Sequence, residues 1–519
     1  MVKSIPGALA GTLTAVFLSA CGGGGDGGDP IAPPVTAKSC DASLASLSIA
    51  NARIVSAQAV TAGPLTPAFS TQSLTVPALC QVVGYATPTS DSQINFELWI
   101  PAATAWNGKL LVYGNGGYSP AVGYSEMLDG IKRGYAVIGG DTGHTADNLT
   151  FVIGHPEKMT DWGTRSVGEI AKAAKPVVAE LQAKPITRTY YSGCSTGGHQ
   201  GYSAVQHYPD VFDGVIAGAP GNNRTRLNVG FMTRYFNNRA PNDDSGAVIL
   251  PASKLAMINS AVVAACDAKD GAVDGVIGDP RACTFNTASL VCSGADAPTC
   301  LTPAQKSVLD KFYTDIKNPR TGELIYPAYP KGTEVGYNAY WGTTEPTRAD
   351  YWRYWVFDDP HYNWWTFDYD RDLQYADLKI GPKVDQVDAN IAAFKAHGGK
   401  LIVYNGWADP VVNALDTIAY YERVKALQGS QGAMDDFFRM FLVPGMGHCG
   451  GGTGTSTFDM ITALDNWVDK GMAPDSIPAS RVASGAVNRT RPLCAFPKVE
   501  RYSGQGSVDD TANFSCVAP

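Results

Sequence analysis

A serine attacks a carbonyl when a base takes its proton and an acid holds that base in the right tautomer. Ser195 stands in Gly193-Cys194-Ser195-Thr196-Gly197, which fits G-x-S-x-G. Such a turn strains the serine backbone, exposes its hydroxyl and aims the N-terminus of the next helix at the same point. With 56 glycines in the chain the pattern alone is a hypothesis, and chain order tests it. Acid and base should follow the serine, in that order, each on a loop after a strand. Five histidines follow: His199, His207, His361, His397 and His448. The first two fall on the helix after the turn and point away from a serine at its start, while His397 ends a helix before a strand. Only His448, in Pro444-Gly445-Met446-Gly447-His448, directly follows an apolar run (438–443). The preceding run, 400–404, delivers Asn405-Gly406-Trp407-Ala408-Asp409. Ser195, His448 and Asp409 are therefore the expected nucleophile, base and acid, with Asp141 as the alternative acid. The oxyanion donors are expected at the N–H of Thr196 and in the loop 114–117, at Asn115 or Gly116.

The elements that must hold these residues are legible. Residues 94–101 (INFELWIP) alternate as a strand does, and 109–113 (KLLVY) and 135–139 (YAVIG) read as strands buried on both faces. Helical patterns cover 124–132 and 161–183, the latter with Pro176 inside it. Then come a strand at 186–193, a helix to His207 and a strand at 212–217. The rhythm breaks between 222 and about 378, where Asp, Gly, Pro and aromatic residues dominate. It resumes with a helix (391–397), a strand (400–404), a helix (414–427), a strand (438–443) and a last helix (458–470). The expectation is an α/β fold with a parallel sheet, split by a large insertion: residues 39–221 and 386–519 form the α/β domain and 222–385 the insertion.

Length and composition suit a large globular chain. A net charge of −8 with no Lys/Arg run argues against a nucleic-acid partner. Residues 1–21 carry Lys3, then an apolar stretch too short and interrupted for a membrane span, then Leu18-Ser19-Ala20-Cys21. That ending resembles a bacterial lipoprotein signal, which implies export, lipidation of Cys21 and membrane attachment through the lipid alone. A plain secretory signal is the other reading. Residues 22–38 read as a flexible linker. Apart from Cys21 there are ten cysteines, an even number that suits five disulfides in an exported protein. Connectivity is not given by sequence. Pairing of neighbours (Cys40–Cys80, Cys266–Cys283, Cys292–Cys300, Cys494–Cys516) would leave Cys194 and Cys449 for each other.

Cys194-Ser195, Asp409 and His448-Cys449, together with Phe441-Leu442-Val443-Pro444-Gly445-Met446-Gly447-His448-Cys449, resemble the tannase and feruloyl esterase family, including its branch of mono(2-hydroxyethyl) terephthalate hydrolases. The resemblance covers essentially the whole chain after the linker. It implies an α/β-hydrolase fold with an inserted lid, a Cys194–Cys449 disulfide beside the reacting groups, and hydrolysis of esters of aromatic acids. Within the insertion, Asp267, Asp270 and Asp274 are spaced through glycine turns; read alone, they either converge on a hard cation or form a solvated turn. The resemblance implies a structural Ca²⁺ held by these three side chains and the carbonyls of Ala272 and Val276.

Residues 337–369 are dense in aromatic side chains, most of them expected in the core of the insertion. Trp341, Trp352 and Trp355 are candidates to grip a planar acyl group, and Arg348 and Arg353 to meet a carboxylate or phenolate. The terephthalate branch has an acidic residue where this chain has Thr196, and differs around Arg348. The expected activity is therefore serine ester hydrolysis of the feruloyl, galloyl or hydroxybenzoyl type, with terephthalate-monoester hydrolysis as the alternative. An acyltransferase using the same three residues and a ligand-binding protein on an inactive hydrolase scaffold are the remaining readings.

Overall fold

The computed structural model describes residues 37–519; the signal, Cys21 and all but the end of the linker lie outside them. A nine-stranded sheet forms the centre. Its strands are β1 (Ala52–Val60), β2 (Leu79–Ala86), β3 (Ile94–Pro101), β4 (Lys109–Tyr113), β5 (Ala136–Gly140), β6 (Arg188–Cys194), β7 (Gly214–Gly218), β8 (Lys400–Gly406) and β9 (Phe438–Val443), in the order β1-β2-β3-β5-β4-β6-β7-β8-β9. From β5 to β9 every neighbouring pair is parallel. The first three strands are antiparallel, which corrects the expectation of a wholly parallel sheet. The seven-residue link between β2 and β3 is too short for a parallel crossover, so those strands can only turn back on each other.

The three shortest central strands, β4, β5 and β7, are buried at every residue. Their continuous apolar runs follow from helices on both faces. Two apolar clusters flank the sheet. One gathers α2 (Ser166–Gln182) with residues such as Ile170, Val177 and Val178. The other gathers α1 (Tyr124–Lys132) and the last helix, Met460–Lys470, with Met127, Leu464 and Trp467. Residues 161–165 before α2 form a π-helical turn rather than its first α-turn. The six strands of this parallel run therefore point their C-terminal ends at one edge of the sheet, where ligands of α/β folds bind.

No strand of this sheet comes from residues 219–399. That stretch folds around a third cluster, in which Leu227, Phe231, Trp341, Trp352 and Trp355 meet Tyr118, Phe151 and Trp162 from loops of the α/β part. The insertion is thus packed across the C-terminal edge of the sheet. After Lys470 a hairpin of Ser476–Ala483 and Ala486–Cys494 is followed by a second antiparallel pair, Val499–Tyr502 with Phe514–Val517; sequence reasoning assigned no element there. All five disulfides join the pairs set out above, Cys194–Cys449 among them.

Candidate active site

At the end of β6 the chain turns sharply into α3 (Thr196–His207), with Ser195 at φ 65° and ψ −116° between them. A side chain that holds such a backbone does so only when its surroundings over-determine it. Here Ser195 N–H donates to the Gly218 carbonyl of the adjacent strand at 3.0 Å. The flanking glycines are steric requirements: a Cβ on Gly198 would lie 2.1 Å from the Gly218 carbonyl, and one on Gly193 2.7 Å from Gly197 Cα.

Ser195 Oγ lies 2.8 Å from His448 Nε2, and His448 Nδ1 lies 2.8 Å from Asp409 Oδ2. Asp409 is buried, and its other oxygen accepts the N–H groups of Val411 and Val412 at 2.8 and 3.0 Å. The carboxylate is thereby fixed on the imidazole. The loops after β8 and β9 are tied to each other, since Trp407 N–H donates to Val443 O and Ala408 N–H to Met446 O. Asp141, the alternative acid, is committed elsewhere, to the N–H groups of Asn95 and Gly143 and the Asn95 amide. His199 is also committed: it is buried, with Nε2 against the Val384 carbonyl and its ring stacked on Trp162.

A cavity of about 650 Å³ opens on Ser195 and His448 and is lined by Gly114 to Tyr118, Thr196, Arg224, Phe231, Tyr340 and Arg348, among others. Thr196 heads α3, where the first N–H groups of a helix lack intrahelical acceptors. Of the two candidates in the loop, Asn115 donates its N–H to Gln200 Oε1 at 3.0 Å, so that donor is taken. Gly116 N–H meets no protein acceptor among the described residues.

The candidate substrate contacts are redistributed. Trp341, Trp352 and Trp355 do not line this cavity; each is at most 4% exposed and packs inside the insertion. Their density in the sequence reflects core packing. Arg353 is likewise withdrawn, because it pairs with Glu345 at 2.6 Å and Asp350 at 2.9 Å. Arg348 does reach the cavity. It has φ 63°, its guanidinium lies 4.9 Å from the Tyr118 ring centroid, and it has no carboxylate partner among the described residues. Tyr340, from the aromatic-dense stretch 337–369, lines the cavity, and sequence reasoning missed Arg224 and Phe231. Arg224 is buried without a carboxylate, donates to Thr196 Oγ1 at 3.1 Å and lies over both Trp162 and Tyr118. Phe231 and Tyr340 stack at 4.6 Å. Nothing in the sequence neighbourhood marks Arg224 or Phe231, since an insertion's path over a site is not periodic.

The Asp267 region was the one candidate metal site. Asp267 accepts the N–H groups of Asp274 and Gly275, Asp270 that of Ala272, and Asp274 that of Val276, while Arg491 bears on Asp274. As they stand, no three of the described acidic, His or Cys side chains surround one point as a metal cage. The donor chemistry nevertheless suits a hard cation. Burial, and then the neighbouring Asp274 and Asp267, push the Asp270 carboxyl up to about 6. Nearby, buried Glu500 has an Oε2 without a hydrogen-bond partner.

Residues 80–517 match the sequence profile described as tannase and feruloyl esterase. An uncharacterized esterase of Xanthomonas campestris pv. campestris is 34% identical, over 93% of this chain and 92% of its own. Feruloyl esterase B of Aspergillus niger is 31% identical over 85% of this chain and 87% of its own. The solved structure of feruloyl esterase B from Aspergillus oryzae superposes with a TM-score of 0.85 at 28% identity, over 92% of this chain and 99% of that one. The fold of tannin acyl hydrolase from Aspergillus niger matches with a TM-score of 0.77 at 20% identity.

Proposed function

The chain belongs to the tannase and feruloyl esterase family and is a carboxylic ester hydrolase with an α/β-hydrolase fold, and from that premise we propose that Ser195, His448 and Asp409 cleave esters of aromatic acids through an acyl-enzyme. The observation that carries this is the unbroken chain of 2.8 Å contacts from Ser195 Oγ through the imidazole to buried Asp409. His448 Nε2 takes the Ser195 proton as Oγ attacks the ester carbonyl. The developing oxyanion is received by the N–H groups of Thr196 and Gly116; loss of one such donor costs roughly 10²–10³ in rate. His448 then protonates the departing alcohol oxygen, and a water repeats the cycle on the acyl-enzyme while Asp409 holds the imidazole tautomer.

The acyl group is an aromatic ring of feruloyl, galloyl or hydroxybenzoyl type, set among Tyr118, Phe231 and Tyr340. A second reading, hydrolysis of a terephthalate monoester, is favoured by one observation: Arg348 and Arg224 bring two guanidiniums without carboxylate partners to the cavity. Unpaired cations of this kind suit an acyl group with an anionic far end. A structural Ca²⁺ held by Asp267, Asp270, Asp274 and the carbonyls of Ala272 and Val276 would fasten the insertion and takes no part in the reaction. Residues 222–385 act as a lid over the site. Export is supported by the five disulfides, which form in oxidising compartments; lipidation at Cys21 is read from the Leu18-Ser19-Ala20-Cys21 ending alone.

The test is covalent labelling with a fluorophosphonate, alongside turnover of methyl ferulate, methyl gallate and mono(2-hydroxyethyl) terephthalate. The wild-type chain labels once and turns over at least one of the three. Ser195→Ala loses both label and turnover while keeping its melting temperature within about 2 °C. A labelled or active Ser195→Ala chain would sink the reading.

A further inference from the structure

Near the start of the insertion, residues 223–226 run Asn-Arg-Thr-Arg, and three of the four meet an acid. Asn223 donates to Asp416 at 3.1 Å, Thr225 gives its N–H and its hydroxyl to Asp385 at 2.8 and 2.7 Å, and Arg226 pairs with Asp377 at 2.8 Å. Arg224 stands among them without one. Among the described residues its guanidinium makes a single hydrogen bond, from Nη2 to Thr196 Oγ1 at 3.1 Å, and its buried Nε has no partner. The guanidinium lies over the rings of Tyr118 and Trp162, at 5.5 and 5.0 Å from their centroids. The residue is 5% exposed.

A guanidinium does not give up its proton, so burial without an anion leaves a full charge where it is poorly solvated. Aromatic faces offset only part of that cost. The esterase cycle itself supplies an anion, because the carbonyl oxygen turns negative against the Thr196 N–H as Ser195 attacks. Thr196 then serves two partners, its hydroxyl accepting from Arg224 and its N–H donating to the oxyanion. Arg224, Thr196 and Ser195 all line the one cavity. One hydrogen bond and the width of one residue put the cation within about 10 Å of that oxygen. At an effective dielectric constant of about 20, a unit charge at that distance changes a rate by about tenfold. The imidazolium formed in the same step already has buried Asp409 opposite it, which leaves the oxyanion as the charge without a fixed partner.

We propose that Arg224 is a positioning residue of the oxyanion site: it holds Thr196 by the hydroxyl and supplies the permanent positive charge that the tetrahedral intermediate faces. The proposal rests on the esterase reading above and needs no charge on the substrate. Methyl ferulate, uncharged below neutral pH, is therefore the ester to use. Phenylboronic acid is the probe, since its boron bonds to Ser195 Oγ while the serine proton passes to His448, leaving a tetrahedral anion. The wild-type chain is compared with Arg224→Lys, which keeps the charge, Arg224→Gln, which keeps a donor for Thr196 but no charge, and Arg224→Met, which keeps neither. The Gln and Met variants lower kcat about tenfold, leave KM within twofold and weaken phenylboronic acid about tenfold, while the Lys variant stays within threefold of wild type on each. The Met variant melts no lower than wild type, because a buried unpaired charge has been removed; a residue that only held the fold would lose stability along with kcat. A Gln variant with wild-type kcat and wild-type affinity for phenylboronic acid overturns the role of Arg224 and leaves the esterase reading intact. A wild-type chain that hydrolyses no aromatic methyl ester overturns the esterase reading and this role with it.

Discussion

Arg348 is held where few residues other than glycine are comfortable. A non-glycine φ of 63° costs on the order of 1 kcal/mol, and here it turns a guanidinium onto Tyr118 beside Ser195 instead of toward a surface acid. Arg353, five residues later, has the opposite fate and is neutralised by Glu345 and Asp350. The two look alike in sequence and differ only in which carboxylates the fold places near them. If Arg348 reads an anionic acyl group, Arg348→Ala raises KM for mono(2-hydroxyethyl) terephthalate at least tenfold and changes methyl ferulate less than threefold. Equal effects on both substrates would assign Arg348 to the shape of the loop. Arg224, buried against Thr196 and two aromatic rings, brings the same sign of charge to the site.

At the scale of elements, the Cys194–Cys449 bond joins the end of β6 to the residue after His448 across 255 positions. Closing a loop of that length removes unfolded-chain entropy worth at most roughly 5 kcal/mol, less whatever residual structure already supplies. Its effect on geometry is more direct, because Ser195 and His448 each adjoin one of its ends. The Cys194→Ser/Cys449→Ser double variant is expected to melt at least 5 °C lower, and its kcat at a temperature where it remains folded falls at least tenfold. A lowered melting temperature with full kcat would limit the bond to stability.

The helix Ala414–Gln428 holds a different kind of seam. Its Asp416 is buried and accepts from Asn223, at the start of the insertion. Burial pushes the Asp416 carboxyl up to about 6. Between about pH 4 and 6 the folded chain keeps a proton that the unfolded chain has released, so this group's contribution to stability falls as pH rises through that window. Above pH 6 the ionised carboxylate costs roughly 2–3 kcal/mol relative to the protonated form. Asp416→Asn keeps an acceptor for Asn223, so it raises the melting temperature at pH 7.5 and leaves it nearly unchanged at pH 4. A gain of the same size at both pH values would show that charge is not the cause.

For the whole molecule, the insertion is fastened to the α/β part at several places besides its two chain crossings. Arg234 donates to the Pro410 carbonyl beside the acid loop, and Arg489 and Arg491 of the C-terminal hairpin reach Asp274. The last contact links the proposed Ca²⁺ loop to the end of the chain. The proposed cation on Asp267, Asp270 and Asp274 would therefore stabilise the assembly of both parts, by mass action on the folded state. Chelation is expected to lower the melting temperature by about 5 °C or more, Ca²⁺ to restore it, and Asp270→Ala to abolish the response. An unchanged melting curve under chelator and added Ca²⁺ would remove the ion from the account.

The order Ser195, Asp409, His448, each after an apolar run, was readable from the chain because strand periodicity and chain order are one-dimensional properties. So were the strands 94–101, 109–113 and 438–443 and the helix 124–132, whose bounds the fold reproduces. The antiparallel start of the sheet was half legible: 94–101 alternates clearly, but its partner strands are set by short connections and pairing, which no single segment reveals. The pocket walls were not legible. Of the aromatic stretch 337–369, Trp341, Trp352 and Trp355 are core and Tyr340 lines the site, while Phe231 and Arg224 look ordinary and line it too. Chain order fixes which groups can react, since each catalytic loop is a local consequence of its own strand. Only the tertiary structure decides what those groups face, because residues such as Arg348 on Tyr118 and Phe231 on Tyr340 acquire their roles from neighbours more than a hundred positions away.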